Sequence, residues 1–196
     1  MHDSVGEQTV MESNLFAQLE KRCGSREKAS ATLERFSLEL GLAGTPQTYS
    51  LAALALIRLG QDSEEVASML QWNDFEDLCA KLLSSYGYEV RRNIVLTNPR
   101  KQIDVLAFSS LISLSVDCKH YARGISPYSL AKFAEDQLER SKLYKEKKSH
   151  KGPILPIILT LIEPSALVVE GVPVVPMLKL RDFLQTVNPY EGLAVV

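Results

Sequence analysis

The first part of the chain has hydrophobic residues at the three- and four-residue spacing of α-helices. This spacing predicts helical structure from about Ser13 to Gly41, with apolar positions at Leu15, Leu19, Leu33, Phe36 and Leu40. Residues 1–12 lack such a pattern, so they are predicted to form a flexible tail.

Two further helices are predicted between residues 45 and 71. Thr45-Pro46 has the residue types preferred at a helix start, and Asp62 with Glu65 forms a capping box. The pair has the proportions of a DNA-binding helix-turn-helix. Its second helix carries two glutamates and no arginine, which favours packing or dimerisation over base reading. The sequence therefore predicts a helical N-terminal domain over residues 13–71.

A new pattern begins at Asn73. The stretch NDFEDLCAKLLSSYGYEV has one apolar helical stripe, and Gly87 ends the predicted helix. Three strand-like segments follow, EVRRNIVL, IDVLAFS and LISLSVDCK, which predict an antiparallel meander. A helix from about Ser129 to Lys147, further strands and a closing helix complete the pattern. Residues 72–196 are therefore predicted to form an α/β (α+β) domain, a mixed sheet flanked by helices.

Charge and cysteine content narrow the function classes. The net charge is −2, yet residues 91–151 hold thirteen Lys/Arg against six Asp/Glu, a net of +7. Such a segment indicates either a polyanion-binding surface or a solvated helix face. Three cysteines far apart fit a reducing cytoplasm, and no apolar run approaches the roughly 20 residues that span a bilayer. We therefore expect a cytoplasmic protein that is not in the membrane.

The strand LISLSVDCK carries charges on one face only. At strand period two, Leu114, Val116 and Cys118 share one face, and Asp117 and Lys119 share the other. Unpaired charges in a half-buried strand are costly, so these groups either face water or act on something.

The preceding strand predicts a partner for Asp117. A tight turn near Ser110 places Asp104 opposite Asp117, where two like charges repel unless a cation lies between them. Two carboxylates, the Cys118 backbone carbonyl and waters suit Mg²⁺ or Mn²⁺. Lys119 would then orient the attacking water or stabilise the transition state.

The helix FEDLCAKLLSSYGYEV, the ID strand and the DCK strand, in this order, resemble the PD-(D/E)XK nuclease superfamily. The likeness is greatest to Mrr-like restriction endonucleases and archaeal-type Holliday junction resolvases. The resemblance implies that Asp104 and Asp117 are the metal-binding acids, Lys119 is the motif lysine, and Glu76 contacts the metal through water. It also suggests accessory roles for Gln137 and Tyr144.

The resemblance implies a Mg²⁺-dependent endodeoxyribonuclease, of restriction or repair type, acting on double-stranded or branched DNA as a homodimer. Alternatives are a Holliday junction resolvase and an inactive module that binds nucleic acid or protein. Basic residues that flank the site in sequence are expected to hold the DNA backbone: Arg91, Arg92, Arg100, Lys101 and Arg123. The helix from Ser129 adds a further contact surface or a solvated face, with Lys132, Arg140, Lys142, Lys145, Lys147 and Lys148.

Overall fold

A computed structural model describes residues 4–44, 48–121, 125–187 and 192–196. In this part of the chain the α-helices are α1 (Ser4–Cys23), α2 (Arg26–Glu39), α3 (Tyr49–Arg58), α4 (Ser63–Met69), α5 (Trp72–Ser85), α6 (Pro127–Lys147) and α7 (Leu180–Thr186). The strands are β1 (Glu89–Leu96), β2 (Lys101–Phe108), β3 (Ser113–Lys119), β4 (Ile154–Thr160), β5 (Val168–Val169) and β6 (Val172–Pro176).

The strands form one mixed sheet in the order β1-β2-β3-β4-β6-β5. The first three are an antiparallel meander, as the sequence predicted. Strand β4 is parallel to both β3 and β6, and β5 pairs antiparallel with β6. The predicted α+β fold, a mixed sheet with helices and a helical N-terminal region, is confirmed.

The N-terminal helices differ from the prediction in where they begin. Helix α1 already begins at Ser4, so the predicted flexible tail over residues 1–12 is replaced by helix in its described part. The stretch SVGEQTVMES contains no proline and several good helix formers, which lets the helix extend beyond its apolar stripe. The predicted start at Thr45-Pro46 lies outside the described residues, and α3 begins instead behind the N-cap Thr48. The predicted cap of α4 is confirmed, since Asp62 accepts the Glu65 N–H.

Helices cover both faces of the sheet. Helix α5 packs on β1, β2 and β3, and α6 packs against β2, β3 and β4 from the other side. The largest buried apolar cluster includes Leu54 of α3, Leu82 of α5 and Val116 of β3. The division into domains at residue 72 remains a prediction, because this core runs from the N-terminal helices into the sheet.

The register of β2 and β3 decides the geometry of the site. Val105 pairs with Val116 and Leu106 with Ser115, which is the register predicted from the turn. One step further along this register stand Asp104 and Asp117.

None of the helices in the described part of the chain is long and apolar enough to cross a membrane.

Candidate active site

Asp117 is the most deeply buried acid of the site. Only 2% of its surface is exposed, on the face of β3 that α6 covers. Its Oδ2 atom lies 2.8 Å from Lys119 Nζ, and its Oδ1 atom lies 2.9 Å from Arg140 Nη2. Because a buried carboxylate needs compensation for its lost hydration, these two cations explain how Asp117 stays in the interior.

A chain of hydrogen bonds on α6 holds Arg140 in place. Arg140 Nε donates to Gln137 Oε1 at 3.0 Å, and Gln137 Nε2 donates to the carbonyl and the hydroxyl of Ser115 at 2.6 and 3.0 Å. Gln137 is fully buried. The accessory position predicted for Gln137 thus lies beside the site, whereas Tyr144 packs in an apolar cluster with Leu106.

Arg140 is a residue whose place the sequence reasoning missed. It was expected among the outward cations of α6, but it points at Asp117. The helical spacing held a signal, because Gln137, Arg140 and Tyr144 stand at i, i+3 and i+7 and so share one side of a helix.

Asp104 stands beside Asp117 at the end of the β2–β3 ladder. Its Oδ2 atom accepts the Cys118 backbone N–H at 2.9 Å, while the Cys118 side chain is buried in the core. Burial and then the charge of Asp117 raise the pKa of Asp104 to about 6, and the Cys118 N–H opposes this rise. The two carboxylates therefore lie close enough to interact electrostatically, as the predicted register implies. Since N–H and C=O of one strand residue point to the same side, the Cys118 carbonyl is also directed toward β2.

The donor set of the site fits a divalent metal ion in chemical type. Two neighbouring carboxylates are ligands that Mg²⁺ and Mn²⁺ prefer. Asp117 Oδ2 is buried and, despite its ion pair with Lys119, makes no hydrogen bond of good geometry in the described part of the structure. A cation would satisfy this oxygen and relieve the repulsion between the acids. The described residues contain no group of three or more His, Cys, Asp or Glu arranged to hold a metal.

Glu76 faces the same region from the first turn of α5. Its side chain is about 10% exposed, and Oε2 lies 3.6 Å from Arg92 Nη2. Its charge contributes to the raised pKa of Asp104. Arg92 also pairs with Asp77 at 3.0 Å, so this arginine links two acids of α5 to strand β1.

The other predicted DNA contacts are more scattered. Arg91 pairs with Glu89 at 2.9 Å and lies over the Phe108 ring, and Lys101 pairs with Glu139 at 2.9 Å. Arg100 is exposed in the β1–β2 turn. Arg123 lies outside the described residues. Only Arg92 of this set has a described contact with a predicted site acid, Glu76.

Aromatic rings enclose the Lys119 ammonium group, which the sequence reasoning also missed. Lys119 Nζ lies 4.7 Å from the ring centre of Phe133 and 5.9 Å from that of Trp72. The Tyr121 ring stacks on Phe133 at 5.8 Å and meets Trp72 edge-on at 6.0 Å. His120 contacts the Trp72 ring edge-on, and its Nε2 atom lies 2.6 Å from the Leu70 carbonyl oxygen. Lysine over aromatic faces gains cation–π attraction, which fixes its position.

Part of the chain is similar to a known protein family. Residues 67–146 match a restriction endonuclease family, the Mrr catalytic domain. The comparison with curated proteins gives no match. A crystal structure of a protein of unknown function, AF1548, is similar with a TM-score of 0.39 and 17% identity, over 52% of this chain and 55% of that one. The matched segment contains Glu76, Asp104, Asp117, Lys119 and Arg140. Residues 67–146 are thus similar to a restriction endonuclease domain of the Mrr type, consistent with the PD-(D/E)XK pattern of the sequence.

Proposed function

We propose that this protein is a metal-dependent DNA endonuclease, of Mrr-like restriction or repair type, that hydrolyses phosphodiester bonds. The observation that carries the proposal is the row formed by Asp104, Asp117 and Lys119. Two acids stand side by side on paired strands, and a lysine with only 14% of its side chain exposed contacts one of them. A fold has no need of such a row, since burying three charges is costly.

The proposed metal would be held by Asp104, Asp117 and the Cys118 carbonyl, with Glu76 reaching it through water. When bound there, Mg²⁺ or Mn²⁺ would supply a water of lowered pKa and neutralise charge on the phosphate. The residues themselves prepare this site. The Cys118 N–H orients the Asp104 carboxylate, and Arg140 fixes the plane of the Asp117 carboxylate.

Lys119 has the role of stabilising the negative charge that develops on the reacting phosphate. Its ammonium group is a compact point charge, and contacts with Asp117, Phe133 and Trp72 hold it in place before substrate arrives. Preorganised charge of this kind lowers an activation barrier without reorganisation during the reaction.

DNA is the proposed partner, held by cations around the site. Arg100 extends from the β1–β2 turn and is suited to a backbone phosphate contact. Arg91, Arg92 and Lys101 already pair with acidic side chains, so phosphates would have to compete for them. Arg123 belongs to the same proposed set. A homodimer, formed through the N-terminal helices, is proposed as the means of cutting both strands.

A second candidate function is a module that binds nucleic acid without cleaving it. The observation in its favour is that Lys119 and Arg140 together already neutralise Asp117 without any metal. The two candidates differ in what Mn²⁺ does. A nuclease binds it at Asp104 and Asp117, whereas a pure binding module gains nothing from it.

The decisive experiment incubates the protein with plasmid, four-way junction and single-stranded DNA in Mg²⁺, Mn²⁺ or EDTA. We expect metal-dependent cleavage by the wild type and loss of cleavage in Asp117→Ala. Cleavage confined to the junction would identify a resolvase instead. Tight binding with no cleavage in either metal would reject the nuclease and favour the binding module.

A further inference from the structure

Aromatic rings from three separate elements meet at the surface end of the site. Trp72 begins α5, Tyr121 follows β3, and Phe133 lies on α6. Trp72 and Tyr121 keep 42% and 38% of their surface exposed. Tyr121 stacks on Phe133, the ring over which Lys119 Nζ lies, and Trp72 meets Tyr121 edge-on. This cluster, called here the aromatic rim, therefore presents partly open rings beside the proposed reaction centre.

Packing accounts for only part of the aromatic rim. Phe133 and Trp72 lie against the Lys119 ammonium group, but this does not explain why the Trp72 indole and the Tyr121 phenol stay open to water. Grouped exposed apolar surface marks binding sites more often than scattered single residues do. For a protein whose proposed substrate is DNA, the flat partner that such rings recognise is a base, because every base has a face that can stack.

We propose that Trp72 and Tyr121 stack on an unpaired base next to the scissile phosphate, so that the enzyme prefers DNA with single-stranded or unstacked nucleotides. In a regular duplex each base is covered by its neighbours, and a protein ring reaches its face only after the base leaves the stack. The inference rests on the proposed function for the position of the phosphate. It adds the substrate class, which the Asp104, Asp117 and Lys119 row does not specify.

The chain offers a direct probe of this stacking, because Trp72 is its only tryptophan. The intrinsic fluorescence of the protein is titrated in EDTA with a short oligothymidylate and, separately, with a blunt-ended hairpin duplex. We expect the single strand to quench the tryptophan emission in a saturable way and the duplex to quench it far less. Equal quenching by both DNAs, or quenching by neither, would overturn the inference.

Substitutions test whether the rings supply binding energy. In EDTA, Trp72→Leu and Tyr121→Leu should each weaken binding of labelled single-stranded DNA by at least about 5-fold, the low end for loss of one base–aromatic stack. Trp72→Phe keeps a ring and should restore much of the affinity. Tyr49→Leu is the matched control, since Tyr49 pairs with Phe16 among the N-terminal helices. Circular dichroism checks that each variant is folded.

The result separates this inference from the nuclease proposal. Binding in EDTA is measured without any cleavage, so stacking stands or falls independently of catalysis. If the variants cleave duplex and single-stranded plasmid regions with wild-type preference and bind single strands normally, the nuclease proposal survives and the stacking inference does not. If single strands bind through Trp72 but no DNA is cleaved in Mg²⁺ or Mn²⁺, the reverse holds.

Discussion

The two faces of strand β3 are buried to the same degree but are built from different chemistry. Toward α5, Leu114, Val116 and Cys118 join the main apolar core. Toward α6, Ser115 and Asp117 are just as inaccessible. Gln137 and Arg140 of α6 supply the hydrogen bonds and the charge for this second face.

The difference shows where the molecule retains costly groups. An apolar side chain gains free energy when it leaves water, whereas a buried charge loses hydration that only good partners replace. Hydrophobic residues of similar volume would serve folding on the α6 face at least as well. Titratable groups that are buried beside one another cluster at functional sites. Asp117 on the α6 face of β3 is such a group, because its charge helps to raise the pKa of Asp104 on the neighbouring strand.

The largest effect is expected from Lys119→Ala. This substitution removes the charge proposed to stabilise the transition state and keeps both metal-binding acids, so cleavage should slow by about 10²-fold or more. DNA affinity and Mn²⁺ affinity, measured by anisotropy and calorimetry, should change little.

Lys28→Ala is the matched control for this prediction, because Lys28 is an exposed lysine on helix α2. Its cleavage rate should equal that of the wild type. Wild-type cleavage by Lys119→Ala would instead show that the polar face of β3 serves the fold, like the apolar face, and has no part in cleavage.

Val116→Ala should produce the opposite result on the other face. Loss of two buried methyl groups is expected to lower the free energy of unfolding by about 2 kcal/mol. Cleavage per folded molecule should stay near the wild-type value, because Val116 points away from Asp117. Urea unfolding and a rate assay on the same sample check both parts. A large rate loss with unchanged stability would contradict the assignment of this face to the core.

The sequence allowed the backbone of the site to be predicted for simple geometric reasons. Strand alternation decides which side chains share a face, and a short turn fixes the register of two antiparallel strands. These two rules were enough to place Asp104 beside Asp117, and the observed pairing of Val105 with Val116 confirms the register. The helix preceding β1 and its end at Gly87 follow in the same way from periodicity.

Contacts between distant elements could not be predicted in this way. The helical period places Gln137 and Arg140 on one side of α6, but it does not tell which way that side faces. The aromatic rim depends on how α5, the end of β3 and α6 come together, and no local pattern in the sequence encodes that meeting. Both the second cation on Asp117 and the rings around Lys119 thus required tertiary structure.

A smaller effect, on stability, is expected from Asp104→Asn. The pKa of Asp104 is raised to about 6 in the folded protein, so the folded state binds this proton more tightly than the unfolded chain does. Its contribution to stability is therefore greatest below about pH 4 and declines as the pH rises through about 6. In EDTA at high pH, the variant should be more stable than the wild type by about 1–2 kcal/mol, less than the full shift implies because Asp104 is partly exposed.

The advantage of Asp104→Asn should shrink as the pH falls toward about 4, since the wild-type carboxyl is then neutral as well. The amide oxygen can still accept the Cys118 N–H, so the local hydrogen bond is preserved. Urea unfolding across this pH range measures the difference. A stability difference that does not vary with pH would show that the charge on Asp104 does not destabilise the folded protein.

The smallest effect concerns cations that point outward, in contrast to Lys119 and Arg140. Arg100 is exposed in the β1–β2 turn, so Arg100→Ala should reduce the slope of log K against log salt by about one unit for every DNA sequence alike. Lys101→Ala should change the slope less, because Lys101 already pairs with Glu139 at 2.9 Å and a phosphate must displace that carboxylate.

Arg26→Ala is the control, because Arg26 is an exposed arginine at the start of α2, and it should leave the slope unchanged. Neither Arg100→Ala nor Lys101→Ala should slow cleavage at saturating DNA, since a backbone contact positions the substrate without taking part in the reaction. An unaltered salt slope in Arg100→Ala would show that the turn points away from DNA. A slowed reaction at saturating DNA would instead show that Arg100 takes part in the reaction, as is proposed for Lys119 on the buried face of β3.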